Sequence, residues 1–188
     1  MPNEQRSLPW SEAAASELRS VASTAALLVS RRIRLLSQHV DMQIRFADAT
    51  SARVFRETVV MDSDHSDPAV LVVEFRLHLV RGWMHNIFRW ESLGNTPLFV
   101  GFPGFVSKLW LAHDQHDRYR GIYDWNGAQS AEHYARSLWR VLAIGCDPAS
   151  IHYKVLPGLH REELLAAPNL SAFEADAERA WWRPVGMA

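Results

Sequence analysis

The chain has 188 residues, 48% hydrophobic and 22% charged, which is the composition of an ordinary globular protein with enough length to bury a sizeable core. Twenty Lys plus Arg against 21 Asp plus Glu leave a formal net charge of −1, so no large net field draws in nucleic acid or anionic lipid. The single cysteine, Cys146, excludes an intramolecular disulfide and a Cys-rich metal site, and without a basic or helix-start environment it reads as a buried structural thiol.

Ser11 followed by Glu12 reads as a helix start. Ala14, Leu18, Val21, Ala22, Ala25, Leu28 and Val29 then recur at three- and four-residue steps, which predicts a helix over about 11–36 with this apolar stripe turned inward. Arg31, Arg32 and Arg34 suit a helix C-terminus. The weakly polar run 21–29 falls short of the ~20 apolar residues that span a bilayer. The start of the chain lacks the basic-then-apolar order of a signal peptide, so the expectation is a cytoplasmic protein with no membrane partner.

Val40, Met42, Ile44 and Phe46 alternate with Asp41, Gln43 and Arg45, and a second extended run covers 53–60, which together predict a β-hairpin. Residues 61–68, rich in Asp, read as a polar linker because the glycine and distal Glu of a calcium loop are missing. The division expected is therefore a helix and hairpin extension over 1–68 packed on the core, a main domain over 69–158 and a helical tail over 159–188.

In the main domain a first strand begins at Ala69, with Leu71, Val73, Phe75, Leu77 and Leu79 on one face and Glu74, Arg76 and His78 on the other. An aromatic helix is predicted over 82–93, a Gly/Pro-punctuated loop over 94–104 and a second strand over 105–113. A charged hairpin turn leads to a third strand, 119–125. Asn126 or Ser130 then caps a helix that carries Tyr134, Leu138, Trp139 and Leu142 and is closed by Gly145 and Pro148. A fourth strand follows over 151–156, then short helices over 162–167 and 172–182. The order βαββαβ with a central hairpin is the plan of a ferredoxin-like α+β fold. A four-stranded sheet with large side chains on both faces cannot cover both with two helices, so a homodimer is expected.

Over residues 103–111 (PGFVSKLWL), 120–125 (RGIYDW) and 131–137 (AEHYARS) the chain resembles the mono-oxygenases of the dimeric α+β barrel superfamily, in its YdhR-like branch, which are similar to the small antibiotic-biosynthesis monooxygenases. The likeness spans about 69–158. It implies a ferredoxin-like dimeric barrel and a cofactor-independent monooxygenase, or an allied oxidoreductase, acting on a small aromatic or polyketide-like molecule. The superfamily also contains haem-binding, cyclising and non-catalytic members, so a ligand-binding protein or a cyclase or isomerase is the alternative. The family supplies no strict catalytic motif that transfers residue by residue.

Oxygenation without a cofactor needs a base, a group to hold an oxyanion, and aromatic walls. The polar side of the strands offers His78 or His152 as base and Arg76 or Lys108 as anion holder, with Trp83, Trp110 and Trp125 as walls and His85 and Tyr123 as further contacts. Each of these also has a plain structural reading, as a salt-bridged or solvated strand residue. His113 and His116 lack a third ligand, so no metal is expected, and neither a GxGxxG turn nor a phosphate loop occurs, so no nucleotide cofactor is expected either.

Overall fold

The computed structural model describes residues 8–77, 99–166 and 180–187. Within them the chain runs α1 (Trp10–Val29), β1 (Ile33–Leu36), β2 (Gln43–Phe46), β3 (Ser51–Val60), β4 (Pro68–Arg76), β5 (Phe105–Leu111) and β6 (Arg118–Asn126). It continues through α2 (Ala128–Gly145), a 3-10 turn (Pro148–Ser150), β7 (His152–Pro157), α3 (Arg161–Ala166) and β8 (Pro184–Met187). The fold is mixed α+β. Its strands form one curled antiparallel sheet in the order β7-β4-β6-β5-β3-β2-β8, with β1 also pairing on β3, so that the sheet bends into a half-barrel.

Pleating divides the sheet into two faces, and the ladder registers align them across strands. Ala69, Leu71 and Val73 of β4 share one face with Trp110 of β5, Tyr123 and Trp125 of β6 and Tyr153 of β7, beneath Tyr134 and Ala135 of α2 and Phe99, Val100 and Phe102 of the preceding loop. Val70, Val72, Leu109, Leu111, Ile122 and Leu156 occupy the other face and meet Ile44, Phe46, Ala52 and Val54 from the curled end, Leu164 and Leu165 of α3, and Trp182. One chain therefore buries both faces. The premise that a second subunit is needed to cover the sheet does not hold.

Three sequence expectations change. The first helix stops at Val29 rather than reaching Leu36, because Arg31 takes a left-handed backbone (φ 55°) and Ile33–Leu36 then pair antiparallel with Glu57–Val60. The stripe expected to face inward faces outward instead: Leu18 is 72% exposed and Val29 86%. Each forgoes most of the ~1.5–3 kcal/mol that full burial of such a side chain supplies. The buried face of α1 consists of the small residues Ala13, Ser16, Ser20 and Thr24, which let the helix approach closely; a Cβ added to Gly101 would lie 1.9 Å from the Ser20 carbonyl oxygen. The third change is at the end of the described chain. Trp181 and Trp182 sit in a turn, not a helix, and Pro184–Met187 add a strand that the sequence did not announce, while residues 172–179 lie outside the described residues.

Smaller differences concern the second helix. Its N-cap is Gly127 at φ 99°, and Asn126 instead accepts from the Asp67 backbone N–H (2.8 Å) and donates to Asp64 (2.9 Å), tying the linker to the end of β6. The predicted hairpin of β2 and β3 is present, pairing Gln43–Arg45 with Arg53–Ser51.

Candidate functional site

The residues expected on one polar surface fall on two opposite faces of the sheet. Lys108, Trp110, Tyr123 and Trp125 come together on the helix-covered face, because Lys108 lies opposite Tyr123, Trp110 opposite Gly121 and Phe105 opposite Trp125 in the β5–β6 ladder. His152 lies on the reverse face, next to Glu74, and Arg76 projects from the end of β4 to an exposed ion pair with Asp147 (3.4 Å). Arg76 thus takes no part with either group, and the expected grouping of His152 and Arg76 with the aromatic residues is corrected. His78, Trp83 and His85 lie outside the described residues.

On the helix side, the Lys108 ammonium lies 3.2 Å from the ring centre of Trp110, 4.5 Å from that of Phe99 and 4.6 Å from that of Tyr123. Cation–π attraction of this kind offsets part of the cost of burying a charge. Desolvation nevertheless holds Lys108 well below its ordinary pKa, and the nearby Arg56 guanidinium, 3.8 Å from the Trp110 ring centre, pushes it further down. Among the described residues no carboxylate pairs with the Lys108 amine. Gly121 leaves room for its stem, since a Cβ there would fall 3.2 Å from Lys108 Cε and 2.8 Å from the Tyr123 ring.

The layer continues across α2 and α1. The hydroxyls of Tyr123 and Tyr134 are 3.3 Å apart, and the Trp125 and Tyr134 rings are 5.0 Å apart. Burial pushes both tyrosine pKa values up, so the two phenols are neutral at physiological pH. Glu17 of α1 is close enough to Tyr134 to act on its titration, and burial pushes the Glu17 carboxyl up to about 7. Among the described residues both Glu17 oxygens and the indole N–H of Trp125 are buried without a hydrogen-bond partner, whereas Trp110 donates its indole N–H to Thr58 (3.1 Å). Buried polar groups are almost always satisfied in a folded protein, so this cluster of unsatisfied ones is unusual. Glu17 and Tyr134 were absent from the expected site. Their one sequence signal is an acidic residue amid small ones on α1, and the outward placement of that arc concealed it.

On the reverse face, Asp48, Thr50, Glu74, His116, Arg118, His152 and Trp181 line a cavity of about 480 Å³. Three of these lining residues are held by the fully buried Arg120, which donates to Thr50 (2.6 Å) and Asp48 (2.7 Å) and pairs with Glu74, and which also donates to Asp114 (3.3 Å). His152 is lowered by partial burial and then by Arg118, and its ring centre lies 6.1 Å from that of Trp181. Deeper in the curl, Arg161 joins Glu57 (2.8 Å), Ser107 (2.9 Å) and, through its backbone N–H, Asp124 (2.8 Å), while His39 holds the other Glu57 oxygen (3.0 Å). These networks set opposite charges together inside the half-barrel, and Asp48, Glu74, Asp114 and Glu57 are already engaged by guanidinium groups.

Cys146 is buried, and its thiol is pushed up to about 12 by desolvation, which suits an inert packing residue. Among the described residues no cluster of three or more His, Cys, Asp or Glu is placed to hold a metal ion, and no helix is long and apolar enough to cross a membrane. Compared with known proteins, the chain matches no family model, and no curated protein and no solved structure matches it significantly.

Proposed function

We propose that the helix-covered aromatic layer of the sheet is a small-molecule site and that the protein is a cofactor-independent monooxygenase acting on a small aromatic or polyketide-like substrate. The observation that carries this reading is a set of buried polar groups set against one layer of aromatic rings: the Glu17 oxygens and Trp125 Nε1, without a hydrogen-bond partner among the described residues, and the amine of Lys108 over the Trp110 ring. A flat ring bearing an acidic hydroxyl or an activated CH₂ matches that layer. Glu17, poised near neutrality, takes the proton; Lys108 and the tyrosine hydroxyls face the resulting oxyanion; Trp110 and Trp125 stack the ring. For an anthrone the balance is complete: the CH₂ becomes a carbonyl, one atom of dioxygen enters the product and the other leaves as water.

The strand order β7-β4-β6-β5, antiparallel throughout, supports reading these four strands as a ferredoxin-like core to which β3, β2 and β8 are added. His152 is not the base in this reading, since it opens on the other face. One observation favours a non-catalytic alternative. No carboxylate or hydroxyl among the described residues orients the Lys108 amine, and a carrier that stacks a ring needs no such orientation.

Oxygen uptake decides between them. Protein freed of metal, flavin and haem, mixed with an anthrone, is expected to consume one dioxygen per substrate oxidised, and Glu17→Gln is expected to lower the rate ~10²–10⁴-fold, the usual cost of losing a general base. Tight anthrone binding that quenches tryptophan fluorescence without any oxygen uptake would assign the layer to a binding protein. Absence of both uptake and quenching would remove the site.

A further inference from the structure

The cavity on the reverse face of the sheet takes no part in the reaction proposed above, and its hydrogen-bonding groups are unevenly satisfied. The carboxylates that line it are engaged within the chain. Asp48 accepts at Oδ1 from the hydroxyl (2.6 Å) and backbone N–H (3.1 Å) of Thr50 and at Oδ2 from Arg120 (2.7 Å), and Glu74 pairs with Arg120. The donors that line it are free. The Arg118 guanidinium is only the more distant partner of Glu74 (3.5 Å) and Asp48 (3.9 Å), and among the described residues neither it nor the exposed rings of His116 and His152 make a hydrogen bond.

Charge and shape point the same way. Arg118 and Arg120 balance Asp48 and Glu74 at the cavity, and the two imidazoles can add positive charge to it. Asp114, the third carboxylate on Arg120, does not line the cavity; it accepts from the backbone N–H groups of His116 (2.8 Å) and Arg118 (3.1 Å). Partial burial and then the charge of Arg118 lower the His152 pKa, and an anion seated between those two side chains would relieve their repulsion. Trp181 supplies a flat apolar wall, its ring centre 6.1 Å from that of His152. The volume, about 480 Å³, is that of a small-molecule site.

We propose that this cavity binds a small aromatic carboxylate, its carboxylate on the Arg118 guanidinium with His116 and His152 as further donors and its ring against Trp181. The planar fork of a guanidinium matches the two oxygens of a carboxylate. A phosphate dianion is a poorer match, because its second charge would stand beside Asp48 and Glu74. An organic cation would find those acceptors engaged and Arg118 repelling it. The site opens on the face of the sheet opposite Lys108 and Trp110, so it does not rest on the monooxygenase reading.

Calorimetric titration of the full chain with 2-naphthoate is expected to show binding that Arg118→Gln weakens about ten-fold or more, the scale of a lost hydrogen bond to a charged group. His152→Ala and Trp181→Ala should each weaken it as well. His152 is exposed, so His152→Ala should melt like the wild type and keeps the test decisive if Arg118→Gln fails to fold. Neither inorganic phosphate nor 2-naphthylmethylammonium should displace the ligand. Absence of binding to the wild-type chain, an affinity indifferent to both Arg118→Gln and His152→Ala, or tighter binding of phosphate or of the ammonium would each overturn the proposal. So would loss of binding in Glu17→Gln with no loss in His152→Ala, which would place the ring in the helix-covered layer.

Discussion

Glu74 and Arg120 stand opposite each other in the β4–β6 ladder and form an ion pair inside the curled sheet, with side chains 3% and 0% exposed. Arg120 also holds Asp48 and Asp114, so one guanidinium contacts three carboxylates. Removing it strands them in the interior. Arg120→Met is expected to lower stability by about 3–5 kcal/mol, as for other buried pairs deprived of one partner, while Glu74→Gln combined with Arg120→Met should recover part of that loss. Urea unfolding monitored by tryptophan fluorescence measures both. A loss under about 1 kcal/mol for Arg120→Met would show that the carboxylates reach solvent.

Glu17 gives the stability a pH dependence of known sign. Its folded pKa is raised from the ordinary 4.5 to about 7, so the folded state holds a proton that the unfolded chain has released between those values. The stabilisation is complete below the unfolded pKa and is lost as pH rises through the folded one. Allowing for partial solvent contact, about 1–2 kcal/mol should disappear between pH 5 and pH 8. Glu17→Gln, which cannot ionise, should flatten that portion of the curve and be the more stable protein at pH 8. Parallel curves for the two proteins across this range would place the Glu17 carboxylate in water.

Gly121 tests the packing of the aromatic layer. An added methyl meets the Tyr123 ring and the Lys108 stem, neither of which can move without disturbing Trp110. Gly121→Ala is expected to cost about 1–3 kcal/mol by overpacking and to shift the near-ultraviolet circular dichroism of the tryptophans. Unaltered stability and spectrum would mean that the layer has space to spare beside Lys108.

Much of this was readable from residue order. The β2–β3 hairpin, the strands from β4 to β7 and α2 follow from alternation, turn residues and helical spacing, because those signals are local. The site was harder. Period-two alternation separates Lys108 and Trp110 from Leu109, and Glu74 from Val73, but it does not say which face of β5 adjoins which face of β4; register decides that, and an irregularity between Phe105 and Ser107 shifts the phase. Hence His152 was grouped with Lys108 although a sheet separates them. The apolar stripe of α1 misled for a different reason. Hydrophobic spacing locates a seam without saying whether the partner lies in the same chain, and here the intrachain contact runs through Ser16, Ser20 and Thr24. Arg31 ended the helix with a left-handed turn and none of the glycine that usually marks one.

The pairing of β8 with β2 has a kinetic meaning as well. Ile44 is aligned with Met187 and Arg45 with Gly186, so the rim of the half-barrel closes only when residues far apart in the chain meet. Contacts of such long sequence separation slow folding. During synthesis, β2 stands as an open edge until residues 184–187 have left the ribosome, and an unpaired edge is where strands from neighbouring chains add on. Chains arrested before that point are accordingly expected to aggregate more readily than the full chain, and among the described residues the four-residue β8 is the strand that ends the sheet.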